Sequence, residues 1–334
     1  LGYWNRDWKP WTLPDGTRVL VGGGLAVTRG DDGTVYAHPQ GDTAAAPSAR
    51  MPSSGLYFDP IPRQADLTNH RFDAGEDYRG QFALFTEEES LFFENESRML
   101  YEQTGYALVG DFGQGGFGDF LLLPAPWLKS TGGIRKLDDW IMAHYDHPGY
   151  IHELFQLQTE VAVKNLEMYR QAVGDRISIL VMSGTDFGAQ NGPFISPDFY
   201  REFYKPYHTK LNDWVHRNTG WKISFHSCGS VEAFLEDFIE AGVEVINPVQ
   251  FTAAGMSLRE LKSKYADRLV FYGGGIDTQH TLPFGSPEQV AEETRENTRI
   301  LSEGGGYICA SVHNIQAPTP VENMLAFFGS VHGA

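Results

Sequence analysis

The chain has 334 residues, 41% of them hydrophobic, with 43 acidic against 26 basic side chains and a formal charge of -17. That surface repels phosphate backbones and anionic lipid, so neither nucleic acid nor a membrane is expected as a partner. Two cysteines, Cys228 and Cys309, are too few for a disulfide framework, and no run of about 18 apolar residues is present to span a bilayer, so a reducing, cytoplasmic setting is expected.

The opening, Leu1-Gly2-Tyr3-Trp4, lacks the basic-then-apolar layout of a signal peptide, and with no initiator Met, residues upstream are expected. Residues 1–75 are rich in Gly, Pro and Trp and read as a β-ribbon and loop excursion within a single domain. There the runs Thr17–Val21 and Thr34–Ala37 flank Asp32-Gly33, a hairpin-type turn signal. From residue 76 onward the grammar becomes strand, turn, helix. Thr86 and Glu89 form a capping box, and Leu91, Phe92, Asn95, Met99 and Leu100 share one face of the helix that follows. Residues 106–109 read as a strand and Pro148–Ala172 as a long helix. Strands at 177–181, 222–225, 243–246, 269–272 and 307–310 then alternate with helices, one opened by Ser196-Pro197 and others boxed by Ser257 with Glu260 and Ser286 with Gln289. About six βα units are clear. The expected fold is α/β, a (β/α)8 TIM-type barrel over 76–334, which needs eight. An open doubly wound sheet is the alternative, but no G-x-G-x-x-G follows an early strand.

Polar residues collect just past the predicted strands, where a barrel would bring them to one mouth. His226 and Cys228 are two apart, so in extended chain both face one side. Imidazole and thiolate together favour zinc over magnesium or calcium. A packed His and a buried thiol is the plain alternative for that pair. His313, after the last strand, is the preferred third ligand. Cys309 competes with it but sits inside the strand, where a core role is expected. Three protein ligands leave a fourth position open, as in catalytic zinc sites. Asp186 and Asp277 are the candidate acid, base or orienting groups; turn and capping roles are their alternative. Asp111, Phe112, Gln190, Asn247, Gln250, Gln279 and Asn314 are candidate substrate-binding residues. The turns after the later strands hold no Arg or Lys, so a mostly neutral pocket is expected, with Phe112, Phe117, Phe187, Phe251 and Phe284 as walls. No G-x-S-x-G is present for serine hydrolase chemistry.

The stretches Gly184–Gln190, His226–Ser230, Asn247–Gln250, Gly273–Gln279 and Val312–Gln316 resemble the uroporphyrinogen decarboxylase superfamily. More narrowly they are similar to its zinc-dependent, corrinoid-linked methyltransferases. The resemblance runs from about residue 80 to the end of the chain and implies a TIM-type barrel. In the coenzyme M branch of that family, zinc sits on His-x-Cys and a later Cys; His226 and Cys228 match the first two, and His313 falls where the later Cys belongs. A His there makes the site less negative and the metal a better Lewis acid, which suits an O-demethylase acting on an aryl methyl ether. The resemblance therefore implies methyl transfer from a small methylated aromatic substrate to a Co(I) corrinoid (a cobalamin) on a partner protein. The oligomeric state stays open, a homodimer included. A uroporphyrinogen decarboxylase-type lyase without metal, or a non-catalytic barrel binding a corrinoid or a protein partner, are the alternatives. Pro62–Asp66 lacks the second arginine of the decarboxylase segment, and His-x-Cys is not a decarboxylase feature.

Overall fold

Short apolar runs after residue 105 become strands of one parallel sheet in the computed structural model, which describes residues 7–317 and 319–331. The Leu1–Trp4 opening lies outside the described residues. The chain divides into two compact units, one of residues 1–96 with 118–172, the other of residues 97–117 with 173–334.

The second unit carries six strands: β1 (Leu108–Asp111), β2 (Ile177–Ser183), β3 (Lys222–His226), β4 (Val245–Asn247), β5 (Val270–Tyr272) and β6 (Tyr307–Ile308). They pair in sequence order, each parallel to the next. This curled, sequential parallel sheet with helical crossovers is a TIM-type α/β arrangement. Eight strands were expected; among the described residues the sheet has six, and β1 and β6 form its two edges. Successive parallel strands need long crossovers, and helices supply them. Pro197–Phe203 and Lys205–Asn218 follow β2, Leu235–Glu240 follows β3, Leu258–Tyr265 follows β4, and Pro287–Ser302 follows β5.

Local sequence explains where these helices start. The Ser196 hydroxyl accepts from the Phe199 amide, and Pro197 supplies a residue that needs no partner for its nitrogen. Ser286 and Gln289 close a reciprocal capping box. Ser257 does not follow suit: it occupies the cap position before Leu258, yet its side chain makes no capping bond. The unit's aromatic core gathers Phe187, Tyr200, His208, Phe225, Phe234 and Phe238, with the Phe187 ring 5.2 Å from Tyr200 and 5.8 Å from Phe234. Phe187 is 2% exposed, so burial of its ring anchors the loop that carries Asp186.

In the first unit, Trp8–Thr12 pairs antiparallel with Arg18–Gly22. Ala26–Arg29, Val35–His38, Ala49–Met51 and Asp59–Pro60 form a four-stranded antiparallel sheet in sequence order. The Asp32-Gly33 turn therefore joins 26–29 to 35–38, while the 18–22 strand turns back onto the segment before it. Asp32 holds that turn by accepting from the Thr34 amide and hydroxyl. The Thr86–Glu89 capping box forms at the start of Glu87–Gln103. On that helix Leu91, Met99 and Leu100 are exposed, and Ser97 is its buried residue. No helix among the described residues is long and apolar enough to cross a membrane.

Candidate metal centre

β3 ends on His226, and two residues on, past the strand, stands Cys228. The cysteine Sγ lies 3.4 Å from His226 Nε2. A nitrogen and a sulfur on one tetrahedral zinc would be about 3.6 Å apart, given the usual metal–ligand lengths. The pair thus has the spacing that a shared ion requires. Asp186, on the loop after β2, brings a carboxylate oxygen to 4.0 Å from His226 Nε2. One donor atom from each of Asp186, His226 and Cys228 lies within 4.8 Å of the others, the group of this kind found among the described residues.

The surrounding bonds hold this geometry. Asp186 Oδ1 accepts from the Cys228 amide at 2.6 Å, which ties the β2 loop to the β3 turn. Ser230 N–H donates to the Ala189 carbonyl, and Ser227 Oγ accepts from the Phe187 amide. Gly229 has φ +81, and a Cβ on it would sit 2.4 Å from the Gly188 carbonyl oxygen. The two turns can approach this closely because both positions are glycine. Asn247 Oδ1 lies 2.7 Å from His226 Nδ1, and its Nδ2 donates to the Tyr272 carbonyl at 3.1 Å. Burial first, and the Asp186 carboxylate beside it second, push the Cys228 thiol up to about 12. A cation bound between them would offset both effects.

Cys228, Asp186, Gln190, Gln250, Gln279, His313 and Asn314 line one cavity of about 490 Å³, with Thr278 and Gln316. Within it, the His313 ring stands 6.4 Å from the His226 ring, centroid to centroid. His313 thus faces the cluster from the β6 side without joining its close donor set. Gln190 and Gln250 bond to each other: Gln250 Nε2 donates to Gln190 Oε1, and Gln250 Oε1 accepts from the Gly229 amide. Gln190 Nε2 donates to the Thr252 carbonyl. These two amides brace the turn that bears Cys228. Gln279, Asn314 and Gln316 remain as the other amides of the lining.

Other expected site residues lie elsewhere. Asp277 is 4% exposed, and its carboxylate accepts from the Gln279 and His280 amides, so it shapes its own turn and does not line the cavity. Asp111 ends β1, away from the cavity lining, where desolvation raises its carboxyl. Phe112, Phe117 and Phe187 are buried core side chains, and Phe284 is 80% exposed. Apart from the His313 imidazole, none of the side chains lining the cavity is aromatic or basic. Cys309 packs against the apolar cluster of Ile276, Leu282, Val290 and Phe327, with its Sγ 3.9 Å from the Thr298 hydroxyl. Thr278 was not anticipated; it adjoins Gln279, and only the path of the chain past β5 brings it to the cavity.

A sequential parallel sheet with its polar cluster just outside the strand C-termini is the layout of a TIM-type α/β protein. Residues 125–334, more than half of the chain, match the family described as uroporphyrinogen decarboxylase (URO-D), and the chain belongs to that family. Among solved structures, a methyltransferase from Methanosarcina mazei shares the fold, with a TM-score of 0.53 and 16% identity over 83% of this chain and 72% of that one. No curated protein matches the chain.

Proposed function

We propose that this protein is a zinc-dependent methyltransferase that moves a methyl group from a small methylated substrate to a Co(I) corrinoid on a partner protein. The observation that carries the reading is the 3.4 Å approach of His226 Nε2 and Cys228 Sγ beside the open cavity. The family and the fold shared with the Methanosarcina mazei methyltransferase support it.

His226, Cys228 and His313 would hold the zinc, and Asp186 sets the Cys228 turn through the amide bond. When bound, the ion supplies a Lewis acid that lowers the charge on the oxygen leaving the methyl carbon. In such a transfer the oxygen would keep both electrons of the C–O bond, and the partner's Co(I) corrinoid would supply the electron pair that accepts the methyl group. The chain's own side chains position the donor. Gln279 and Asn314 offer amide donors and acceptors to polar groups on it. An aryl methyl ether is the donor to test first, because a zinc ion held by these residues would stabilise a phenoxide leaving group. With no Phe, Tyr or Trp in the lining, such a ring would be held through hydroxyl or carbonyl substituents.

The name of the family favours a second reading, decarboxylation of a porphyrinogen. A substrate bearing many carboxylates calls for several cationic partners, and the lining holds no Arg or Lys. A screen of methylated donors against free Co(I) cobalamin separates the two readings. Formation of methylcobalamin by the zinc-loaded protein is expected. Porphyrinogen decarboxylation by zinc-free protein, with no methylcobalamin from any donor, would overturn the proposal.

A further inference from the structure

We infer that Asn247 is a positioning residue that locks His226 in the tautomer protonated on Nδ1, so that Nε2 presents its lone pair to the Cys228 side of the cavity. The Tyr272 carbonyl can only accept, so the Asn247 group 3.1 Å from it must be the amide nitrogen. The amide oxygen then points at His226 Nδ1, 2.7 Å away. An amide oxygen cannot donate, so Nδ1 carries the proton of the neutral ring.

Asn247 is itself held in place. It ends β4, in register with His226 at the end of β3, and its backbone carbonyl accepts from the Ser227 amide at 2.7 Å. One residue therefore spans three neighbouring strand ends, from β3 through β4 to β5. Nε2 is left 3.4 Å from Cys228 Sγ with its lone pair unclaimed by Asn247. This is the orientation a metal-binding imidazole needs, and outer partners of this kind commonly set a ligand's tautomer and basicity. Sequence reasoning assigns Asn247 to substrate; the hydrogen bonds assign it to the histidine.

The metal half of this inference rests on the zinc reading above, whereas the tautomer half does not. The test uses the full chain, first without metal. Nitrogen-15 spectra of labelled histidines at about pH 8, where ordinary imidazoles are neutral, report which ring nitrogen carries hydrogen; His226→Gln identifies the resonance. The Nδ1–H tautomer is expected in the wild type and in Asn247→Asp, whose carboxylate still accepts, and its population should fall in Asn247→Ala. Zinc affinity is then measured by competition with a chelator. A loss of about ten- to a hundred-fold is expected in Asn247→Ala, with recovery in Asn247→Asp. An Nε2–H tautomer in the wild type, or an unchanged tautomer in Asn247→Ala, overturns the inference. If wild-type protein binds no zinc, the zinc reading fails, and the tautomer spectra alone decide the role of Asn247.

Discussion

Gly188 and Gly229 meet backbone to backbone. The Gly188 carbonyl occupies the place that any side chain on Gly229 would claim, 2.4 Å from an added Cβ, and Gly229 is in the left-handed region at φ +81. This contact sets the β2 loop against the β3 turn and so brings Asp186 to Cys228. Gly229→Ala is expected to destabilise the protein by about 3 kcal/mol, since strained backbone and a backbone clash act together. Urea denaturation measures it. An unchanged midpoint would mean that the turns are not held by this approach.

The ligand set makes a graded prediction. Cys228→Ser removes a thiolate and should lower zinc affinity by about a hundred-fold or more; His313→Ala should lower it by about ten- to a hundred-fold. Asp186→Asn keeps an oxygen that accepts from the Cys228 amide and should lower it by less than about ten-fold. Competition with a chelator ranks all three. If Asp186→Asn loses more than His313→Ala, the carboxylate is the third ligand and the imidazole is not.

Acid stability should report His208. The ring is buried, with Nε2 donating to the Gly115 carbonyl and Nδ1 accepting from the Tyr200 hydroxyl, each at 3.0 Å. Desolvation holds its pKa down to about 3. A folded pKa below the unfolded value of about 6.5 favours the neutral ring in the folded state. Its contribution is complete above that value and is lost as pH falls from 6.5 toward 3, by up to about 1.4 kcal/mol per pH unit. The wild type should therefore lose stability with a steeper slope than His208→Gln in denaturation series between about pH 6.5 and 4. Equal slopes would show that the buried imidazole is not coupled to folding.

The strand and helix pattern after residue 176 is legible in the sequence because each βα unit carries its own signals. Apolar runs mark β2 to β6, and Ser196-Pro197 and Ser286–Gln289 mark helix starts. These signals are local, and so are the structures they report. The helix at 87–103 shows the limit of such signals: periodicity places Leu91, Met99 and Leu100 on one face but does not say whether another element covers them, and they are exposed. The site divides in the same way. His226 and Cys228 were legible, since period-2 geometry puts both on one side of an extended chain. Asn247, Gln190 and Gln250 were recognised as polar residues past strand ends, yet their partners lie 21, 62 and 21 residues away. Which group such an amide meets depends on strand register, and no local pattern encodes that. Asp277 accepts from the Gln279 and His280 amides, donors of its own turn, which is the local alternative that the sequence already offers for it.

The cavity lining predicts substrate preference. Gln279→Leu removes an amide without adding charge. It should raise KM for a hydroxylated or carbonyl-bearing donor by about ten-fold, the effect of one lost hydrogen bond, and leave donors without such groups unaffected. Steady-state kinetics over a donor panel checks this, and a uniform effect on all donors would contradict it.

The central claim is that one metal ion sits between the imidazole of His226 and the thiolate of Cys228. Elemental analysis of the purified protein after exhaustive dialysis tests it most directly. The account predicts one zinc per chain in the wild type and far less in Cys228→Ser that is otherwise folded. Metal-free wild-type protein that cannot be loaded with zinc, or full zinc content retained by Cys228→Ser, would contradict it.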